Sequence, residues 1–281
     1  MIKPASAGPG IKGGQVSEVM VNGLDFYPTI LTWTNTEKPE GVTLDGCDLR
    51  KLLEQNPRSA NLVKHTNGNV RDTMVWHFPH SVALESTIRM GGYKLVRNYN
   101  HRFDERTTEL ELYQLYKTDN GKQVRVDIEE ANNLASQHPQ LSKELNERLS
   151  SILNEMDASY PYYNPQARRV GAEKNLIPKV ISHEIQNETV TFSVREQGAK
   201  IVRADLIYTN NGGKKYEEWY RIKGKEKTKG TISFNLPEGS THYYLNLIDE
   251  NNFLVSYPET PDYSELGKTK EKFSKFAIAR K

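Results

Sequence analysis

The chain has 281 residues and a mass of 32.1 kDa, room for about two domains at roughly 150 residues each. Hydrophobic residues make up 36% and charged residues 26%, which is enough apolar material for a sizeable core. A net charge of +2, a mean hydropathy of −0.72 and the lack of any run near the ~18 apolar residues of a membrane span give no argument for nucleic acid or a membrane as a partner.

Cys47 is the only cysteine, which excludes a disulfide framework and a multi-cysteine zinc site and leaves the redox compartment undecided. The opening MIKPASAGPGIKGG has no apolar h-region of an export signal. Residues 1–20 read as loop or frayed strand. In 22–33, Asn22 or Asp25 can cap a helix, with Pro28 tolerable only near its first turn. Pro39, Gly41 and Gly46 mark a loop, and 48–54 (DLRKLLE) reads as one or two helical turns. Residues 73–78, 86–90, 93–99 and 109–116 are β-prone, and Gly91-Gly92 gives a tight hairpin signal, so a small antiparallel sheet is expected. Residues 117–132 are polar, with a turn at Asn120-Gly121.

The clearest helix covers 139–156. Leu141, Leu145, Leu149, Ile152, Leu153 and Met156 share one face, and Pro139 suits the first helical position. Residues 157–172 are the expected linker, open to trypsin at Arg168-Arg169. Strands are expected at 179–186, 189–195, 201–209, 217–222, 230–235, 243–249 and 253–256. Seven short strands over about 80 residues point to an immunoglobulin- or fibronectin-like β-sandwich at 170–260, followed by a charged tail at 261–281.

The residues themselves give no catalytic constellation: phosphate loops, nucleophile elbows and His-Glu-x-x-His frames do not occur. The one histidine cluster is Trp76-His77-Phe78-Pro79-His80. Alternation turns Trp76 and Phe78 to one face and His77 away from them, and Pro79 is expected to end the strand and leave His80 in a loop. Two imidazoles beside aromatic surface can bind a polar ring such as a sugar. The alternative, which the residues alone favour, is a surface strand with incidental histidines. Cys47, flanked by Asp45 and Asp48, lacks the cation that activates a thiol and reads as inert. Trp219-Tyr220 and Tyr243-Tyr244 could form a carbohydrate platform, but alternation sends one of each pair inward, and core packing is the better reading.

Six phrases between residues 10 and 165 occur in the order found in the C-terminal portion of bacterial sulfatases of the formylglycine-dependent type, in the alkaline phosphatase superfamily. They begin at Asn22 (NGLDFYPTIL), Leu44 (LDGCDLRKLL), Trp76 (WHFPH), Ile88 (IRMGGYKLV), Glu111 (ELYQL) and Asn133 (NLA). The 1–165 region therefore resembles a sulfatase C-terminal region, helices plus a small antiparallel sheet, and the whole chain is expected to be α+β.

The resemblance stops short of the chemistry. The family's nucleophile comes from a Cys/Ser-x-Pro/Ala-x-Arg motif that Cys47, followed by Asp48, Leu49 and Arg50, does not match, and its calcium ligands have no counterpart here. It thus implies a sulfuric ester hydrolase without its catalytic half, inactive alone, with no catalytic residue, metal or cofactor in this chain. Calcium is expected only in a full-length relative. His77 and His80 become candidate substrate contacts toward a sulfated carbohydrate. With the core missing, Phe26, Ile30, Leu31 and Trp33 should leave an apolar patch that self-associates or binds an N-terminal sulfatase half. A non-catalytic carbohydrate-binding or interaction module is the alternative. Relatives are typically periplasmic or secreted; this chain's own localisation is unassigned.

Overall fold

The computed structural model describes residues 11, 13–80, 83–120, 122–167, 171–214, 216–228, 230–259 and 272–280, with backbone alone at 83 and 225–228. Arg168-Arg169 and most of the expected tail lie outside the described residues. The chain divides into two compact units, Met1–Ser159 and Tyr160–Lys281, the break falling within the segment read as a linker.

In the first unit Asn22 caps a 3-10 turn, Gly23–Asp25, that runs into helix α1 (Phe26–Trp33). The Asn22 side chain accepts from the Leu24 amide at 2.9 Å while Asp25 accepts from the Asn22 amide at 2.8 Å, which satisfies amides that a helix start leaves unpaired. Pro28 falls in the first turn of α1, where its missing N–H costs nothing. Helix α2 (Arg50–Glu54) follows, and Cys47, Leu49, Leu52 and Val63 form a small buried core.

A four-stranded antiparallel sheet then forms in the order β1 (Thr73–His80), β2 (Ala83–Met90), β3 (Tyr93–Asn98), β4 (Leu110–Gln114). The expectation that Pro79 ends the first strand does not hold. β1 continues through it, with Pro79 opposite Leu84 and His80 opposite Ala83. The reason is position: β1 is an edge strand, so a residue without an N–H can sit in it. The β2–β3 turn is Gly91-Gly92 as the sequence suggests. Gly91 has φ 57°, and a Cβ on Gly92 would meet the Tyr116 carbonyl oxygen at 2.1 Å. The polar stretch after β4 holds a two-stranded ribbon, β5 (Tyr116–Asp119) and β6 (Lys122–Arg125), turning at Asn120, φ 47°.

Helix α3 (Pro139–Glu155) buries Leu145, Leu149 and Leu153 and packs on β2, β3 and β4. The Arg97 guanidinium of β3 fixes it, donating to the Asn146 side chain (2.7 Å), the Asn146 carbonyl (2.8 Å) and the Ser150 hydroxyl (2.6 Å).

The second unit is built of antiparallel sheets. One has the order β11 (Lys225–Thr228), β12 (Thr231–Asn235), β8 (Thr189–Arg195), β7 (Lys179–Gln186). The other runs β10 (Tyr220–Lys223), β9 (Ile201–Thr209), β13 (His242–Asp249), β14 (Leu254–Tyr257). Val190, Phe192, Ile232 and Phe234 of the first share one buried core with Leu206, Tyr243, Leu245 and Leu247 of the second.

Besides β11, two pieces of chain outside the expected strands are ordered into this unit. Tyr163 makes a parallel bridge to Phe253, its amide donating to Asn252 O (2.9 Å) and its carbonyl accepting from Leu254 N (3.0 Å). Near the C-terminus, in the segment read as a tail, β15 (Ile278–Ala279) pairs with His242 and Tyr243. The chain is thus α+β in the coarse sense, with several antiparallel sheets.

Candidate functional site

The histidine strand β1 splits its side chains between two faces. Register pairs His77 with Ser86 and Ser86 with Arg97, and Arg97 bonds to α3, so His77 lies on the helix-covered face. There its Nε2 is 2.8 Å from the Ser159 carbonyl oxygen and its Nδ1 is 2.6 Å from the Ser86 hydroxyl, which is 2.7 Å from the Tyr99 hydroxyl. A carbonyl only accepts, so Nε2 carries the proton. In the neutral ring Nδ1 then accepts from Ser86, and Ser86 from Tyr99. Ser86, the middle of this chain of bonds, is fully buried, while His77 and Tyr99 at its ends are partly buried. Both nitrogens of His77 are committed to protein partners, which gives the ring a positioning role: it ties the strand to the end of the segment after α3.

Trp76, Phe78 and His80 occupy the opposite face, and all three are exposed. Trp76 and Phe78 each keep 46% of their surface in contact with solvent. The His80 ring lies on Phe78, centroids 4.2 Å apart and planes tilted by 42°. Thus the two histidines that the sequence suggests as one cluster point to different environments.

A second element of the site is the buried pair Asp25–Arg71. Asp25 is fully buried and Arg71 nearly so. Arg71 Nη1 donates to Asp25 Oδ2 at 2.7 Å, and its Nη2 donates to Oδ1. The same carboxylate accepts from the amides of Asn22 (2.8 Å) and Cys47 (2.9 Å). Burial by itself would raise the Asp25 carboxyl, but the bonds from Arg71 and the two amides outweigh it and hold the group below its ordinary value.

Thr29 completes the clamp, its hydroxyl donating to Asp25 O (2.6 Å) and accepting from Leu49 N (2.9 Å). Gly46 lies so close to the Leu24 carbonyl that a Cβ would sit 2.1 Å from its oxygen. The clamp therefore fastens the loop around Cys47 to the base of α1. The structure does place a cation beside Cys47, which the sequence did not show: burial pushes the thiol up, and the Arg71 guanidinium opposes that shift.

While its base is clamped, α1 presents Phe26, Ile30 and Trp33 outward, each about half exposed, with Leu24 and Tyr27 beside them. The spacing i, i+4, i+7 is one helical stripe. Leu31 is partly buried and belongs to another side of the helix.

Of the aromatic residues that the sequence suggests as a platform in the second unit, all but Tyr220 are packed. Tyr243 is core. Trp219, Tyr244 and Phe273 pack as a trio with centroids 5.1–5.5 Å apart, and burial pushes the Tyr244 hydroxyl up to about 12. Tyr220 is exposed but leans on Tyr208 at 5.5 Å. Phe273 was not a visible partner from the sequence, because it sits beyond the last expected strand. Among the described residues no group of three or more His, Cys, Asp or Glu side chains could hold a metal ion, and no helix is long and apolar enough to cross a membrane. Neither a protein-family model nor a curated protein matches the chain.

Proposed function

We propose that the first unit is the C-terminal subdomain of a formylglycine-type sulfatase, shaped to complete an enzyme acting on sulfated carbohydrate, and that the polypeptide by itself does not hydrolyse sulfate esters. The observation that carries this reading is the clamped α1. A short helix is fixed at its base by a buried ion pair and still turns Phe26, Ile30 and Trp33 to solvent. A patch of that kind on a fixed scaffold is a surface made to be covered.

The phrases behind the resemblance are also joined physically. Asp25 and Thr29 bond to Cys47 and Leu49, the WHFPH strand pairs with the strand before the Gly-Gly turn, and Asn133 accepts from the Leu112 amide at 3.1 Å. The second unit is proposed to be an immunoglobulin- or fibronectin-like β-sandwich, supported by two antiparallel sheets sharing one core. In this reading the partner is an N-terminal sulfatase half, which brings the nucleophile and calcium, and His77 and His80 serve the substrate side, His77 by positioning.

The test is an assay of the pure 281-residue protein on aryl sulfates and sulfated oligosaccharides with calcium. No turnover is expected alone, and turnover is expected when a separately expressed sulfatase catalytic half is added. Hydrolysis by the pure protein that vanishes on mutating one of its own residues would overturn the proposal. The second reading, a free-standing carbohydrate-binding module, is favoured by the exposed rings of β1.

A further inference from the structure

Four Asn-Gly pairs lie along the chain, at Asn22, Asn67, Asn120 and Asn211. In this dipeptide the side-chain amide is lost without any enzyme, because the nitrogen of the following residue reaches the asparagine Cγ and glycine puts no Cβ in the way. By sequence the four pairs are equal. The structure makes them unequal through the bonds that hold the side-chain amide and the glycine nitrogen.

Asn211 is held most firmly. Its Oδ1 accepts from the Thr209 hydroxyl (2.8 Å) and the Glu218 amide (3.0 Å), its Nδ2 donates to Tyr216 O (3.0 Å), and the Gly212 amide donates to the Thr241 hydroxyl (3.1 Å). Asn22 is partly buried, and its Oδ1 accepts from the Leu24 amide (2.9 Å) inside the cap that the Asp25–Arg71 pair anchors. At Asn67, Oδ1 accepts from the Asn69 amide (3.0 Å) and the Gly68 amide donates to His65 O (2.9 Å). Asn120 differs from all three. It is exposed, and its side-chain amide makes no hydrogen bond among the described residues. It sits at the tip of the β5–β6 ribbon, where every strand residue except Tyr116 is exposed.

We propose that Asn120 is a self-modification site, which the folded chain converts to aspartate and isoaspartate faster than the other three pairs. The Gly121 nitrogen gives its proton to water and forms a bond to Asn120 Cγ. The Cγ–Nδ2 bond breaks, Nδ2 takes up a proton and leaves as ammonia, and a five-membered imide remains. One water then opens the imide at either of its carbonyls. One opening gives aspartate, and the other gives isoaspartate, in which the main chain runs through Cβ. Each hydrogen bond that must break before the ring closes slows the step by about fivefold. The four bonds at Asn211 therefore protect it most, and those at Asn22 and Asn67 protect them less.

The product reaches beyond the turn. Isoaspartate lengthens the main chain by one carbon, so the short turn that sets Asp119 opposite Lys122 loses its register, and a new carboxylate stands beside Asp119. β5 begins at Tyr116, whose ring faces the Arg89 guanidinium at 5.0 Å and packs with Val96, Tyr113 and Leu115. Conversion at Asn120 thus loosens the ribbon as the protein ages, starting at the tip and ending at the sheet. The proposal goes beyond the sulfatase reading and stands or falls without it.

Trypsin places the four pairs on separate peptides, 13–38, 65–71, 118–122 and 204–214. The 281-residue protein is aged in warm, mildly alkaline buffer, once folded and once in urea, and its peptides are followed by mass spectrometry and by labelling with an isoaspartyl methyltransferase. In the folded protein 118–122 should convert at least about tenfold faster than 204–214 and several-fold faster than the other two. In urea the four rates should converge. Asn120→Gly keeps a residue at ease with the left-handed φ of this turn, so it should keep the ribbon and abolish the product. Native trypsin should then cut aged wild type at Lys117 and Lys122 faster than the aged variant. Conversion of any other pair as fast as Asn120 in the folded protein would overturn the proposal. So would the same ranking in urea, which would make the order a property of sequence. Equal cutting of the two aged proteins would overturn the effect on the ribbon.

Discussion

The two units close their sheets in different ways. In the second, two antiparallel sheets turn their inner faces to one core, so Phe192 and Phe234 from one side meet Leu206, Tyr243, Leu245 and Leu247 from the other. Its exposed β-branched residues, Ile181, Ile185 and Val202, lie singly on strands and need no explanation. In the first unit one sheet is covered by a single helix on one face, and the aromatic residues on the β1 end of the other face stay in water. Its α1 does the same with a whole stripe. A domain that finishes its own core leaves little to be covered. One that exposes Trp33, Trp76, Phe26 and Phe78 while holding a fully buried Asp25–Arg71 pair has its rigidity and its apolar surface in separate places.

That contrast can be tested by breaking each unit at its own support. Phe192→Ala removes a fully buried ring from the shared core of the second unit and should cost about 3–5 kcal/mol. Arg71→Ala leaves the Asp25 charge buried without its partner, for a similar cost of about 3–5 kcal/mol. In calorimetry of the whole chain two transitions are expected, each variant lowering one and leaving the other in place. If either variant moves both transitions together, the units are not separately stabilised.

Acid should sharpen the contrast by a smaller amount. The folded Asp25 carboxyl lies below its ordinary 3.8 because burial, which raises it, loses to the bonds from Arg71, Asn22 and Cys47. A depressed carboxyl contributes stability that is present above its unfolded value and is lost as pH falls through the folded value. The first transition should therefore drop as pH falls below about 4, and Asp25→Asn should flatten that slope.

Glu217 in the second unit is held low as well. Burial opposes the shift, while bonds from the Ser274 hydroxyl (2.5 Å) and the Gly213 amide (3.1 Å) cause it. Acid there should loosen the segment around Ser274 and leave the shared core standing. Hydrogen exchange at low pH separates the two outcomes: early exchange at 272–280 is expected, and early exchange across β8 and β13 would contradict it.

Much of the architecture was legible because it is local. The i, i+4, i+8 leucines of α3, the Gly91-Gly92 turn and the alternating runs of β8, β9 and β13 state their period and their ends in the sequence itself. What was not legible depended on distant partners. Pro79 stays in a strand because β1 is the end strand of its sheet, which is a fact of sheet order. His77 and His80 read as one cluster, yet Ser86, Tyr99 and Ser159 commit the first to the inside of the fold while the second remains on the exposed face. Asp25, the centre of the clamp, looked like a helix cap, and its 46-residue separation from Arg71 hid the ion pair. The place of Glu85 across from Phe78 carries no pattern in sequence and appears only through strand register.

The finest probe of the contrast is the outer stripe of α1. Phe26 and Ile30 are about half exposed and lie on the side of the helix away from the clamp, which works through Asp25 and Thr29. Changing both to Ser should therefore alter the first unit's stability by only about 0.5 kcal/mol per site, the usual range for exposed positions. Trp33 is left in place because its indole N–H donates to Glu54 at 3.1 Å and its loss would mix two effects. The same double change should weaken self-association at high protein concentration, read by light scattering or sedimentation, since it removes two of the three rings or branches of the stripe. It should also weaken complementation by an added sulfatase catalytic half. A wild-type protein that is strictly monomeric at all concentrations, and gains no partner in that mixture, would mean that α1 carries its apolar stripe uncovered. The difference between the two units would then be one of composition and not of function.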